Sequence, residues 1–172
     1  ISITDGQIFL DTTLFNQGIR PAINTEFSIS RVGGSAQTKA IKKVTRALRL
    51  ELAQYKELLD FAQFGTELDD ISRQKLLRGS RTVELLKQQQ YSTFNFVDQT
   101  LMLFLLKENI LDTLDITQVN LFARQFVRYV QSVYADLYST IESTADLSDE
   151  IAKQLLQIAR EFSLIFVVKQ EL

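Results

Sequence analysis

The sequence of 172 residues contains no cysteine and no histidine. Without cysteine there can be no disulfide and no thiolate nucleophile. Without histidine there is no imidazole base and no zinc site of the usual kind. Any catalytic contribution must therefore come from arginine, lysine or carboxylate groups, or be completed by another chain.

Turn-forming residues are scarce, and most of them precede residue 35: the single proline, Pro21, and four of the six glycines. Short segments rich in β-branched or aromatic residues predict three strands in this region, at residues 1–4, 7–10 and 27–30. Three strands cannot cover both of their faces, so they would suit the centre of a larger parallel sheet, whose carboxyl ends face a ligand. Without that sheet, we expect them to be loosely held or to pair with a second copy.

The charge balance is close to neutral, with a net charge of −2 and 45% hydrophobic residues. This composition is typical of a soluble globular protein and argues against a nucleic-acid binder. The longest apolar run, residues 101–106, lies between Asp98 and Lys107 and is shorter than a membrane span. It therefore predicts a buried helix.

After residue 35 the apolar spacing becomes helical. It predicts one long amphipathic helix from Ile41 to Ala62 that stops at Gly65, and a second from Asp69 or Asp70 to about Leu86. Residues 94–107 predict a short helix that is apolar on nearly all sides and is buried in a bundle.

Two further helices are predicted, with Thr117 and Ser148 as their N-caps. Both helices carry an apolar stripe along one face. Because such a face must be buried against other helices, the stripes predict a helical bundle. The stripes are Val119, Phe122, Phe126, Val130, Val133, Leu137 and Ile141, and then Ile151, Leu155, Ile158, Phe162 and Ile165.

Arg31 is the first candidate for chemistry, because it follows a predicted strand and stands two residues before the pair Gly33–Gly34. Glycines allow close backbone approach to another group, and the guanidinium could meet a phosphate. The alternative interpretation is a solvent-exposed loop cation. The phosphate-binding pattern G-x-x-x-x-G-K-[ST] is absent, so we do not expect this chain to hydrolyse ATP alone.

Two other polar runs have open interpretations. The amides of residues 88–90, three glutamines, could bond the edge of a base or form an exposed loop. The basic run within residues 39–49 could contact phosphates or be a solvated helix face.

Several segments together resemble the alpha subunit of the rotary ATP synthase, and they follow the order of that family from residue 1 to about 91. The motif Arg20-Pro21-Ala22-Ile23-Asn24 is similar to alpha rather than beta subunits, which have tyrosine before the proline. The matching segments are residues 3–8, 18–24, 28–33, 36–40, 48–55, 61–65 and 86–91.

The resemblance implies a mainly α fold, in which a helical bundle is preceded by a few strands left from an α/β nucleotide-binding domain. Residues 1–34 would be the remnant of that domain, and residues 35–172 the carboxy-terminal helical domain. The chain would then be the carboxy-terminal part of a longer alpha subunit.

The resemblance also implies a site that is shared between chains. Arg31 would act in trans as an arginine finger in the catalytic site of a neighbouring beta subunit, with Ser2, Ile29 and Ser30 lining the interface. A planar, permanently charged guanidinium suits the charge that develops on a transferring phosphoryl group.

A second, non-catalytic nucleotide site is implied for the alpha subunit, where ATP or ADP with Mg²⁺ binds in the full complex and not to this fragment alone. The chain departs from the family pattern at Gln89, where proline or glycine is usual, and at Arg46, where glycine is common. The residues implied to contact the adenine are Phe15, Arg20, Pro21, Gln88 and Gln90.

The implied partners are beta subunits in an alternating hexamer and the gamma subunit of the central stalk, in a complex that couples ATP synthesis to proton transport. We expect a peripheral position at the cytoplasmic face of a bacterial membrane, or at the inner membrane of an organelle. No metal ligands within the chain and no nucleic-acid partner are expected. The alternative is a free-standing helical protein-interaction module that binds no nucleotide.

Overall fold

The computed structural model of the chain describes residues 4–63 and 68–168, with side chains up to Phe166. The described residues are mainly helical, with one two-stranded sheet, so the predicted fold class is confirmed. The helices are α1 (Thr12–Asn16), α2 (Gly33–Ala36), α3 (Lys39–Thr45), α4 (Leu48–Gln63), α5 (Asp70–Leu86), α6 (Phe96–Lys107), α7 (Val119–Val133), α8 (Ala135–Thr144) and α9 (Asp149–Val168). Two 3₁₀ turns, Ile110–Thr113 and Ile116–Gln118, connect α6 to α7.

The sheet consists of β1 (Gly6–Gln7) and β2 (Ile29–Ser30), which pair antiparallel with Gly6 opposite Ser30. The two strands are shorter than predicted, and they pair with one another rather than with a second copy. The parallel arrangement was predicted for a larger sheet, and it stays a prediction. The chain reverses its direction between the two strands, so they pair within one chain. The strands approach closely at Gly6, where a side chain would clash with the backbone of Ile29. Most of the strand predicted at residues 1–4 lies outside the described residues.

The chain packs as two compact units. The first consists of Ile1–Gln37 and Arg46–Thr93, and the second of Thr38–Thr45 and Phe94–Leu172. The boundary predicted at residue 34 separates the remnant of a nucleotide-binding domain from the helical domain. It does not describe how the segments pack in this chain, and it stays a prediction.

The long helix predicted from Ile41 to Ala62 is in fact two helices, α3 and α4, separated at Arg46–Ala47. The apolar stripe runs through the break, which is why the sequence does not reveal it. α3 buries Ala40, Ile41 and Val44 in the second unit, whereas α4 packs against α5 in the first. The predicted stop at Gly65 lies outside the described residues.

In the first unit, α4 and α5 pack against each other. Asp69 is the N-cap of α5, as predicted, and its side chain accepts a hydrogen bond from the Ser72 N–H at 2.7 Å. Gly79 is buried against the ring of Tyr55, and a Cβ at this position would collide with that ring. The glycine within the predicted helix therefore has a packing role.

In the second unit, α6 is buried on nearly all sides, as predicted, and contacts α3, α7 and α8. The core beside it is aromatic. Phe122 on α7 lies edge-on to two rings of α9, with centroid separations of 5.1 Å to Phe162 and 5.0 Å to Phe166. The α9 stripe therefore includes buried Phe166, whereas the predicted Ile165 is exposed.

The helix predicted from Val119 through Ile141 is broken at Tyr134, whose backbone is not helical. The break lets the Tyr138 hydroxyl of α8 reach the start of α6, where it donates to Asp98 Oδ1 at 2.7 Å. The predicted cap at Thr117 is also wrong: Asp115 caps the 3₁₀ turn there and Thr117 donates to it. Ser148 does cap α9, as predicted, by accepting from the Ile151 N–H at 3.2 Å.

The basic run does not behave as a uniformly solvated face. Lys43 donates to the Leu147 carbonyl at 2.7 Å and pairs with Asp146 at 3.0 Å, both within the second unit. In the first unit, Arg49 Nη2 lies 3.5 Å from the Ser28 carbonyl.

Candidate functional site

The Arg31 loop follows directly from the end of β2. The Arg31 N–H donates to the Asp5 carbonyl at 2.8 Å, which fixes the backbone, and Ser30 Oγ accepts from the Gly33 N–H at 2.8 Å, which fixes the turn that follows. Arg31 is therefore attached to a hydrogen-bonded loop.

The guanidinium of Arg31 points to solvent, with 74% of the side chain exposed. Its Nη1 lies 4.0 Å from the carboxylate of Asp5, which is similarly exposed, so this pair is loose and screened by water. Ile29 and Ser30, predicted to line an interface, are both exposed beside it, while Ser2 lies outside the described residues. The loop presents the Arg31 guanidinium to solvent, where it could bind a phosphate that another chain holds.

The residues predicted to contact an adenine come from two segments of the first unit. The Arg20 guanidinium stacks over the Phe15 ring at 4.3 Å from its centroid, and Pro21 follows through a cis peptide bond. The Arg20 carbonyl accepts from the Gln88 N–H at 2.7 Å. Four of the five predicted residues are thus joined by direct contacts or by the chain itself.

The side chains of the glutamine run differ in their contacts. The Gln88 amide donates to the carbonyl of Ser92, which holds the loop after α5, whereas Gln90 is exposed on the same loop. Tyr91 has a positive φ of 60° and is 94% exposed, so the chain turns sharply there.

Asp11 and Asn24 are bonded to each other in the same two segments, and neither was among the predicted site residues, although Asn24 ends the motif Arg20-Pro21-Ala22-Ile23-Asn24. Asp11 caps α1 by accepting from the Thr13 N–H at 2.7 Å, and its other oxygen accepts from Asn24 Nδ2 at 3.3 Å. The bond from Thr13 and then that from Asn24 hold the pKa of Asp11 below its ordinary value. The cap pattern Asp-Thr-Thr was a readable signal, but the contact across 13 residues was not.

The groups present fit the base part of a nucleotide better than its phosphates. The Phe15 ring and Pro21 can pack against an adenine, and the exposed amide of Gln90 can bond its edge. Across residues 4–63 and 68–168 there is no cluster of three or more acidic side chains that could hold a metal ion. A nucleotide phosphate with Mg²⁺ would have to be bound mainly by groups outside this cluster.

Among the described helices, none is both long enough and apolar enough to cross a membrane.

Comparison with known proteins gives a consistent result. Residues 37–162 match the family model "ATP synthase alpha/beta chain, C terminal domain". The ATP synthase subunit alpha of Petrotoga mobilis is 45% identical over 166 residues, which are 96% of this chain and 33% of that relative. The subunit alpha of Acidithiobacillus ferridurans is 48% identical over 162 residues, 94% of this chain and 32% of the relative.

The chain thus spans about a third of the length of these curated relatives. The resemblance seen in residues 1–91 and the family match over residues 37–162 overlap and together cover most of the chain. The chain belongs to the family of ATP synthase alpha and beta chains and is similar to the alpha subunits within it.

Proposed function

We propose that this chain acts as part of an ATP synthase alpha subunit and gives Arg31 to the catalytic site of a neighbouring beta subunit. The same complex would couple ATP synthesis to proton transport. The alpha chain itself would be non-catalytic, because the arginine acts on a nucleotide held by its neighbour.

The observation that carries this proposal is the way Arg31 is held. Its backbone is bonded to Asp5 at 2.8 Å, while 74% of its side chain is exposed. An arginine finger needs both properties. A fixed backbone limits the conformational entropy lost on binding, and an exposed guanidinium can reach another chain. A cation that served only the stability of the fold would be expected in a closer and more buried pair.

The chemistry of phosphoryl transfer favours arginine at such a position. Negative charge spreads over the equatorial phosphoryl oxygens in the transition state, and the guanidinium offers a flat array of donors to them. An arginine finger contributes about 10³ to 10⁵ in rate in other phosphoryl-transfer enzymes.

The cluster around Phe15 and Arg20 supports a second role, as the base-binding part of a non-catalytic ATP or ADP site. In this proposal Pro21, Gln88 and Gln90 pack beside the adenine or bond its edge. The nucleotide phosphates and Mg²⁺ would be held elsewhere in the full complex.

The proposed partners are beta subunits, alternating with alpha subunits in a hexamer, and a gamma subunit in the central stalk. The complex would be peripheral to a membrane, at its cytoplasmic face in bacteria or at the inner membrane of an organelle. Support comes from the similarity to subunits named alpha, which this chain matches over 94–96% of its length.

The arginine role is tested by replacing Arg31 with alanine and with lysine in the full-length subunit, assembled in its complex. We expect steady ATP turnover to fall by about 10³-fold or more in Arg31→Ala, and nearly as far in Arg31→Lys, because lysine keeps the charge but loses the flat fork. Assembly is checked by gel filtration and stability by thermal unfolding, and both should change little because the Asp5 pair is exposed.

Arg160→Ala provides the matched control, since Arg160 is an exposed arginine on α9. It should leave turnover near the wild-type value. Normal turnover in an assembled Arg31→Ala complex would reject the finger and favour the alternative of an interaction module without nucleotide binding.

A further inference from the structure

The carboxylate of Asp11 joins two segments that each carry part of the proposed base site. One oxygen accepts from the Thr13 N–H at 2.7 Å at the start of α1, and the other accepts from Asn24 Nδ2 at 3.3 Å. α1 carries Phe15, and Asn24 follows Arg20–Pro21 in the next segment. One side chain thus bonds to both walls of the cluster.

Backbone bonds run between the same two segments. Asp11 N–H donates to the Ala22 carbonyl at 2.9 Å, and Asn24 N–H donates to the Phe9 carbonyl at 2.8 Å. A third backbone bond, from the Ile19 N–H to the Leu14 carbonyl at 3.0 Å, joins α1 to the residue before Arg20. The carboxylate adds the contact that joins the N-terminus of α1 to Asn24.

Asn24 can offer only its amide nitrogen to Asp11. Its Oδ1 already accepts from the Glu26 N–H at 3.1 Å and the Phe27 N–H at 3.3 Å, and the residue is 8% exposed. Turning the amide over would place its NH₂ against two N–H donors. The group that faces Asn24 must therefore be an acceptor, as a carboxylate is.

We propose that Asp11 is a positioning residue of the adenine site, which holds Phe15 and the Arg20–Pro21 peptide at the separation that a base requires. This inference rests on the proposed function, because it concerns the same adenine site. Asp11 does not touch the base in this proposal and acts through Asn24 and α1.

The test uses the full-length subunit assembled in its complex. ATP is one probe, and inorganic tripolyphosphate, which lacks the base, is the other. Asp11→Asn keeps the cap of α1, because asparagine caps as well as aspartate, but sets its NH₂ against that of Asn24. We expect ATP affinity at the non-catalytic site to fall by roughly threefold to tenfold. Tripolyphosphate affinity should stay within about twofold, which a general loss of folding would not allow.

The exchanged pair provides the sharper measurement. In the double variant Asp11→Asn/Asn24→Asp, the new amide at position 11 can donate to the new carboxylate at position 24, whose second oxygen still accepts from Glu26 and Phe27. ATP affinity should return to within about twofold of the wild type. The single variant Asn24→Asp, which sets two carboxylates face to face, should bind ATP more weakly than the double variant.

A failure of this inference can be told apart from a failure of the site itself. If Phe15→Ala weakens ATP binding but Asp11→Asn does not, the adenine site stands and the positioning role of Asp11 is wrong. The positioning role is also wrong if the double variant is as weak as Asp11→Asn. If Phe15→Ala has no effect, the proposed adenine site is itself wrong, and the inference is overturned with it.

Discussion

Gly79 shows how one residue can be set by its neighbour rather than by its own helix. Alanine is the better helix former by about 1 kcal/mol, so Gly79→Ala would stabilise an isolated helix. In the folded chain the new methyl group would collide with the Tyr55 ring. Overpacking costs about 1–3 kcal/mol, so we expect a net loss of stability and a thermal midpoint lower by several degrees.

Gly34 provides the matched control for that measurement. A Cβ there meets nothing within 4 Å, and the residue also lies in a helix, α2. Gly34→Ala should leave the thermal midpoint unchanged or raise it slightly. Equal midpoints for the two alanine variants would contradict the packing argument for Gly79.

The connection between α8 and α9 is bonded to α3 by the Lys43 side chain and by the Ala40 N–H, which donates to the Ala145 carbonyl at 3.1 Å. Lys43 bonds the Leu147 carbonyl and the Asp146 carboxylate, and hydrogen bonds from Lys43 and from the Leu147 N–H lower the pKa of Asp146. A carboxyl whose folded pKa is depressed stabilises the fold above its unfolded pKa, and that stabilisation is lost as the pH falls through the folded pKa.

We therefore expect Asp146→Asn to lower the thermal midpoint at pH 7, by a modest amount because the pair is partly exposed. The difference from the wild type should begin to shrink as the pH falls below about 4, the ordinary pKa of an aspartate, and should be lost as the pH falls through the lower pKa of folded Asp146. Circular dichroism melts between pH 7 and 2.5 measure this, with Asp60→Asn on α4 as the control. A difference that stays constant across this range would contradict the assigned charge interaction.

At the scale of whole helices, the spacing of apolar residues predicted those helices that pack against neighbouring helices on one face or on nearly all sides. α5 and α6 were predicted nearly to their ends, because each has a capping residue and a consistent apolar pattern. The breaks at Arg46–Ala47 and at Tyr134 were missed because the apolar stripe continues through both. A break that changes the packing partner but keeps the helical period leaves no local signal.

At the scale of the molecule, the described residues are unevenly buried. Most of residues 4–36 are exposed, whereas α6, α7 and α9 carry many fully buried side chains. Among the buried side chains are Val97, Leu101, Phe104, Leu105, Val119, Phe122, Ala123, Phe126, Val130, Leu155 and Ala159. Exposed segments open locally at low cost, so hydrogen exchange should be fastest in residues 4–36 and slowest in α6.

Hydrogen exchange with mass spectrometry on the isolated chain measures this difference. The two-stranded sheet pairs only two residues on each side, so it should protect few amides. Protection in residues 4–36 as strong as that in α6 would show that the short sheet and its turns are more stable than their burial indicates.

The candidate site was predictable where its residues stand in recognisable segments, as Arg31 and the group of Phe15, Arg20, Pro21, Gln88 and Gln90 do. The link between Asp11 and Asn24 was not, because it depends on how two segments approach and on which amide atom faces the carboxylate. The antiparallel pairing of β1 with β2 was missed for the same reason.

The sequence by itself determined the mainly helical class, the buried position of α6, the caps at Asp69 and Ser148, and the similarity to ATP synthase alpha subunits. These features depend on local spacing and residue type, which are written directly in the chain. Only the tertiary structure decided where the long stripes break, how the first strands pair, and why Gly79 and Asp11 stand where they do. Each of these depends on contacts between residues that are distant in the chain, and no periodic pattern encodes such contacts.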